Sequence, residues 1–211
     1  MLNMGSAPDD LTARARIRDA AIELFGRDGF ERARVRDIAE RAGVSAALVL
    51  HHFGSKEQLR HACDEHVTSA LFARKELLQG AAAAAEIQAW LADFEGNRPQ
   101  LTYIARMLTG DSGAGAQLFA ALVAGTRQMM DEQIDAGVMR DVPDRDVVAA
   151  HLATWGVAPL VLGQHLAAAL GADEMSGELY RRSTLPLMDV LTHGIYTDDR
   201  LFRTAQEVLE P

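Results

Sequence analysis

Several things are scarce in this 211-residue sequence. Cysteine occurs once, at Cys63, so neither an internal disulfide framework nor a four-cysteine zinc site can form. A lone thiol fits a reducing compartment. Proline occurs six times, at positions 8, 99, 143, 159, 186 and 211, which leaves long stretches free of helix breakers. Asn-Gly pairs and alternating β-branched runs are absent, so no hairpin is readable. The longest apolar run, Trp155 to Leu162, is interrupted by Gly156 and Pro159. That falls well short of the ~18 apolar residues of a spanning helix. Met1 to Asp10 is polar and ends in Asp9-Asp10, unlike a secretory leader with its basic start and ~7–15 apolar residues. The expectation is a soluble, cytoplasmic protein with no membrane partner.

Catalytic signatures are missing as well. There is no His-Glu-x-x-His pair, nucleophile elbow or dinucleotide fingerprint. The glycine-rich stretch 110–115 lacks the lysine and the strand of a phosphate loop. The one dense cluster of candidate metal ligands is His61-Ala62-Cys63-Asp64-Glu65-His66. His61 and Glu65 stand four apart while Cys63 and His66 fall on another face, so an open three-ligand site does not assemble. The cluster reads instead as a polar stretch of the helix that links the two domains. No catalytic residue, metal or cofactor is expected.

What remains is an ordinary globular composition, 48% hydrophobic and 24% charged, long enough for a sizeable core. The net charge of −9 is unevenly placed. Residues 1–62 carry 10 Lys+Arg against 9 Asp+Glu, and residues 63–211 carry 11 against 21. An acidic chain argues against nucleic acid. A near-neutral segment ahead of an acidic body does not, because a Debye length is ~8 Å at physiological salt.

Apolar residues recur with helical spacing almost throughout. The pattern predicts helices over 11–27, 35–42, 46–52, 56–79, 84–94, 99–109, 116–136, 144–170, 176–196 and 199–209. Ile17, Ala20, Ala21, Leu24 and Phe25 mark the inner face of the first. Gly96-Asn97 should close the fifth, Pro99 should open the sixth, and Pro159 and Pro186 should kink or break theirs. The fold class is all-α: an N-terminal three-helix helix-turn-helix unit and a C-terminal helical domain. The division expected is a tail at 1–10, the helix-turn-helix unit at 11–55 and the remainder at 56–211.

The helix-turn-helix reading rests on residues 35–53. Val35, Ile38, Ala39 and Ala42 share one face, and the two alanines let helices approach closely. Gly43 permits the turn. Val44 can plug the corner, and Ser45 can cap a second helix whose inner face is Val49 and Phe53. That helix would enter the major groove with its N-terminal residues towards the base edges. The DNA-facing candidates are Arg34, Arg36, Ser45, Ala46, Ala47, Leu48, Leu50, His51, His52 and Lys56. Leu48 and Leu50 can meet thymine methyl groups, or one of them packs into the core. His52 either faces DNA or turns inward. The arginines either meet phosphate or form a solvated face paired with acids.

These residues carry a resemblance. Phe25, Gly29-Phe30, Val35-Arg36-Asp37-Ile38-Ala39, Ala42-Gly43-Val44-Ser45 and His51-His52-Phe53-Gly54-Ser55-Lys56-Glu57-Gln58-Leu59 resemble the TetR family of transcriptional repressors, over about residues 11–66. The resemblance implies a homodimer on a palindromic double-stranded operator. It also implies a C-terminal domain that binds a small-molecule effector and dimerises through its last two long helices. Ligand binding would then change the separation of the DNA-binding heads. Three positions depart from the family pattern. Ala33-Arg34 stands where a Ser or Thr often caps, Ala47 replaces a glycine, and Leu50 replaces a tyrosine.

For the effector, Trp90, Phe94, Tyr103, Met107, Phe119, Leu122, Thr126, His151 and Trp155 are the candidates: large apolar walls with a few polar groups, or ordinary helix packing. The Trp155-Gly156 pair with Pro159 suggests a kink that opens a pocket, or close packing at an interface. Val161, His165, Leu185, Met188, Leu191 and Ile195 are the candidates for the dimer interface. The alternative function is a helical small-molecule-binding dimer, or an enzyme, without specific DNA binding.

Overall fold

The computed structural model describes residues 7–77, 83–110 and 112–209. Among them are eleven helices and no strand: α1 (Ala7–Asp28), α2 (Val35–Ala42), α3 (Ala46–Phe53), α4 (Lys56–Leu77), α5 (Ala83–Ala92), α6 (Phe94–Thr109), α7 (Gly113–Asp135), α8 (Arg145–Val161), α9 (Gly163–Ala169), α10 (Gly177–His193) and α11 (Arg200–Leu209). The tail expected at 1–10 therefore ends in helix, with α1 starting at Ala7.

The core begins with the inner face of α1. Ile17, Ala21, Ile22 and Phe25 are almost wholly buried. Ile38 of α2 and Val49 and Phe53 of α3 close over them, and Leu59, Cys63 and Val67 of α4 join from the other side. Full burial of such side chains contributes ~1.5–3 kcal/mol each. The same cluster continues into Tyr103, Ile104 and Met107 of α6 and Leu118 of α7. The N-terminal helices and the body therefore share one core, with α1 and α4 packing on both.

Gly26 makes the α1–α6 contact possible. A Cβ there would stand 3.1 Å from the Tyr103 backbone nitrogen and 3.5 Å from the Pro99 carbonyl oxygen. Only a residue without a side chain lets two backbones approach so closely.

Two boundaries differ from the periodicity. The Gly96-Asn97 pair does not close a helix; it lies in the first turn of α6, which starts at Phe94. There the Asn97 side-chain amide donates to the Asp93 carbonyl at 2.7 Å. Pro99 is tolerated as the sixth residue of α6 because it removes a single hydrogen bond near the helix start. The long helix expected over 144–170 is two helices: α8, capped by the Asp144 side chain on the Val147 amide, and α9. They are bent by 80° across Leu162. Pro159 lacks the N–H that would bond the Trp155 carbonyl, and the helix ends within a turn of it. Pro186 does not break α10.

The body is braced on its surface. Arg145 bonds Asp131 and Asp141, and Arg127 bonds Asp131 and Asp146, tying α7 to α8. The α10 helix starts on the Ser176 hydroxyl, which accepts from the Leu179 amide. Every residue of α11 through Leu209 is exposed. Leu201, Phe202, Ala205, Val208 and Leu209 share one of its faces. No single helix among the described residues is long and apolar enough to cross a membrane.

Candidate nucleic-acid interface and ligand cleft

The α2–turn–α3 unit is built as its residues dictate. Ile38, Ala39 and Ala42 are the buried face of α2. Gly43 takes the left-handed conformation, φ 68° and ψ 39°, which L side chains disfavour by about 1–2 kcal/mol. The Ser45 hydroxyl accepts from the Leu48 amide at 3.1 Å and so caps α3. Val49 and Phe53 anchor α3 inward.

This anchoring decides the outward face. Ala46, Ala47, Leu50 and His51 are exposed, at positions i, i+1, i+4 and i+5 of α3. The flanking Leu48 and His52 are half-buried. Leu50 is the more exposed leucine, at 46%. The His52 ring lies edge-on to His51 and Phe53. Two methyl groups at the start of α3 leave its backbone unobstructed, and Leu50 and His51 are the reaching side chains.

The cations have distinct settings. Arg34 occupies the N-cap of α2, where a guanidinium has no acceptor to offer the turn, and is exposed. Arg36 is exposed and lies 3.3 Å from Asp37. The Lys56 ammonium donates to the Glu31 carbonyl at 3.3 Å and lies 4.4 Å from the centre of the Phe30 ring. At the start of α4 the Ser55 hydroxyl accepts from the Gln58 amide at 3.1 Å. The Glu57 backbone amide and the Ser55 hydroxyl hold the Glu57 carboxyl below its usual range.

In the body, a cleft of about 430 Å³ opens between α6, the α8–α9 corner and the start of α10. Its α6 wall includes Phe94, Arg98, Leu101, Thr102, Ala105 and Arg106, and its far wall includes Pro159, Leu160, Val161 and Met175. One lining residue, Gly26, belongs to α1. The bend beside Pro159 therefore does border a cleft.

Of the nine effector candidates, Phe94 alone lines this cleft. Trp90 stands behind it, 5.4 Å from both Phe94 and Tyr180 in edge-on contacts. Tyr103 and Met107 are on the opposite face of α6, buried in the shared core. The Tyr103 hydroxyl donates to the Asp64 carboxylate at 2.7 Å. Burial raises both the Tyr103 hydroxyl and the Asp64 carboxyl above their usual ranges. Phe119, Leu122 and Thr126 are half-buried on α7, where the Thr126 hydroxyl donates to the Leu122 carbonyl. His151 is exposed with its Nδ1 2.8 Å from the Val147 carbonyl, and Trp155 is 56% exposed. Periodicity put Phe94 at the end of the fifth helix, whereas it opens α6; for the others it gave the helix but not which face meets which neighbour.

Of the interface candidates, Leu185, Met188, Leu191 and Ile195 are exposed. Val161 and His165 border the cleft. The residues that sequence reasoning missed are Arg98 and Arg106, whose arginine spacing on α6 carries no distinctive signal. Cys63 is buried with its thiol pushed up by burial, which makes it an inert core residue. No group of three metal-ligating side chains occurs among the described residues.

Comparison with known proteins gives a consistent picture. Residues 17–63 match the family described as "Bacterial regulatory proteins, tetR family", and residues 95–197 match "Tetracyclin repressor-like, C-terminal domain". The chain is 35% identical over 196 residues to the HTH-type transcriptional regulatory protein RaaS of Mycobacterium tuberculosis, covering 92% of this chain and 91% of that one. It is 32% identical over 154 residues to the HTH-type transcriptional repressor Rv1474c of the same organism, covering 68% and 79%. Its fold is similar to that of the TetR family protein CprB from S. coelicolor A3(2), with a TM-score of 0.65 at 22% identity over 95% of this chain and 97% of that one.

Proposed function

Since the chain belongs to the TetR family and is a transcriptional regulator rather than an enzyme, we propose that it is a cytoplasmic repressor of the following kind. It binds a palindromic operator as a homodimer and lets go when a small, moderately apolar ligand occupies the C-terminal body. The outward face of α3 carries this reading. Ala46, Ala47, Leu50 and His51 stand exposed on a helix capped by Ser45 and anchored by Val49 and Phe53. A short, rigidly seated helix with small residues at its start is the shape that fits the major groove. Leu50 supplies an apolar contact for a thymine methyl group, and His51 supplies a polar one. Arg34 and Arg36 at the start of α2 supply cations for phosphate, and Lys56 adds a further one. Repression is supported by the likeness to a relative named as a repressor.

Dimerisation is supported by the distribution of exposed apolar side chains. Of the eighteen large ones among the described residues, fourteen lie between Val147 and Leu209. Leu185, Met188 and Leu191 follow one another along α10, Ile195 lies just beyond its end, and α11 carries a further exposed apolar face. A lone chain would leave this surface in water. Stable interfaces bury ~1,600 Å², and a self-complementary α8–α10–α11 surface meets that need as a two-fold pair.

Selection from a random duplex library at ~0.15 M salt tests the reading. The expected product is an inverted repeat with half-sites about one helical turn apart or slightly more. With an acidic body and few cations on the reading face, affinity should fall only modestly with salt. A folded dimer that enriches no repeat refutes the proposal.

A further inference from the structure

The cleft beside α6 has one unusual wall: it contains both Gly26 of α1 and Arg106 of α6, and these two residues bond each other. The Arg106 Nε and Nη2 both lie 3.4 Å from the Gly26 carbonyl oxygen, and Nη2 lies 3.4 Å from the Arg27 carbonyl oxygen. Those carbonyls end α1, immediately before the turn that leads into the helix-turn-helix unit. A guanidinium there satisfies orphan acceptors and meets the negative end of the helix dipole. One cation of the cleft thus holds the last turn of the first DNA-head helix.

The other charged groups of the cleft are committed elsewhere. Arg98 makes two bonds to Glu95, at 2.7 and 2.8 Å, and reaches the Glu174 carboxylate at 3.2 Å and the Met175 carbonyl at 3.1 Å. Asp28, at the end of α1, is gripped by Arg27 at 2.7 Å on both of its oxygens, and the Arg106 charge acts on it only as a weaker, unbonded influence. The described bonds of Arg106 are long and run to neutral carbonyls. A carboxylate presents two charged oxygens to the guanidinium fork, at ~2.7–2.9 Å and with roughly twice the strength of a neutral acceptor. Beside it, Leu101, Ala105, Leu160, Val161 and Met175 form an apolar wall.

We propose that this cleft receives an organic acid with an apolar body, and that its carboxylate takes Arg106 away from the end of α1. The inference rests on the regulator reading and specifies its effector class and its switch. The acid prefers the state in which Arg106 has left the Gly26 and Arg27 carbonyls, and that difference in affinity drives the change. Release of the last turn of α1 frees the turn at Gly29 and shifts α2 and α3 against the operator.

The experiment uses the full-length Trp155→Phe protein, so that Trp90 is the single tryptophan. It stands against Phe94 and Tyr180, two residues of the cleft. Decanoate and 4-phenylbutyrate are titrated alongside decan-1-ol and 4-phenylbutan-1-ol. Each acid should change Trp90 emission at a concentration about tenfold lower than its alcohol. Arg106→Gln should abolish that preference and Arg106→Lys should retain it. On the selected operator, the acid should release the parent protein, while Arg106→Gln, which lacks the guanidinium over the Gly26 and Arg27 carbonyls, should bind the operator weakly whether or not the acid is present; an Arg106→Gln that holds the operator as tightly as the parent overturns the switch. Acids that bind no better than alcohols, or a preference that survives Arg106→Gln, overturn the ligand class without needing the variant to fold well. Acid binding without operator release overturns the switch. A protein that selects no operator refutes the regulator reading, and the Trp90 titrations still decide the cleft.

Discussion

Gly26→Ala sets two known effects against each other. Within a helix, alanine in place of glycine stabilises by about 1 kcal/mol. Here the added methyl group would meet the α6 backbone at 3.1 Å from the Tyr103 nitrogen, 3.4 Å from its Cα and 3.5 Å from the Pro99 oxygen. Backbone cannot turn aside as a side chain can. The other face of α6 is fixed by buried Tyr103, Ile104 and Met107 and by the Tyr103–Asp64 bond. The helices must therefore part by a few tenths of an ångström, and overpacking of this kind costs about 1–3 kcal/mol. The net expectation is destabilisation by about 1 kcal/mol, which lowers Tm by about 2–4 °C for a chain of this size. Chemical denaturation of the purified protein measures it, with operator affinity as a second readout. A variant more stable than the parent by the full helix-propensity gain would show that α1 and α6 are not held in close contact, and the coupling through Gly26 and Arg106 would fall with it.

Other outcomes follow from the same geometry. Gly43→Ala should cost about 1–2 kcal/mol in a denaturant titration, because the position needs a left-handed backbone. Gly43→Asn should cost less, and equal losses would place the strain elsewhere. Leu191→Glu combined with removal of residues 198–211 should convert the dimer to monomer in sedimentation at micromolar concentration; an unchanged dimer would move the interface off α10. The Arg127 and Arg145 side chains hold the Asp131 carboxyl below its usual range, and Asp141 is held down by Arg145. A depressed carboxyl stabilises above its unfolded pKa, ~3.9, and loses that contribution as pH falls through the folded value. The acid limb of the stability curve should therefore be shallower in Asp131→Asn than in the parent. Burial lowers the His66 imidazole, so its contribution is complete above its unfolded pKa of ~6.5 and declines as pH falls below it. His66→Gln should flatten that part of the curve below about pH 6.5.

Local chemistry in the sequence determined a good deal of this protein. The spacing of Ile38, Ala39 and Ala42, the glycine at 43 and the serine at 45 specify two helices, a turn and a cap. They also specify the outward face of α3, because each signal acts within one or two turns of backbone. The helical character of the body and the positions of α7 and α10 follow from periodicity for the same reason. Tertiary structure decided what depends on which faces meet. Tyr103 and Met107 read as ligand-site residues until α6 turns them into the core shared with α1 and α4. Arg106 carries no distinctive signal in the sequence; the fold brings it over the last carbonyls of α1, some eighty residues earlier in the chain. Gly26 carries no signal in the periodicity of the first helix; its part emerges only where Pro99 and Tyr103 pack against it. Helical periodicity records how a residue stands relative to its own axis. The partner of each face is set by the joint packing of all the helices, and in this protein that packing carries the link between cleft and head.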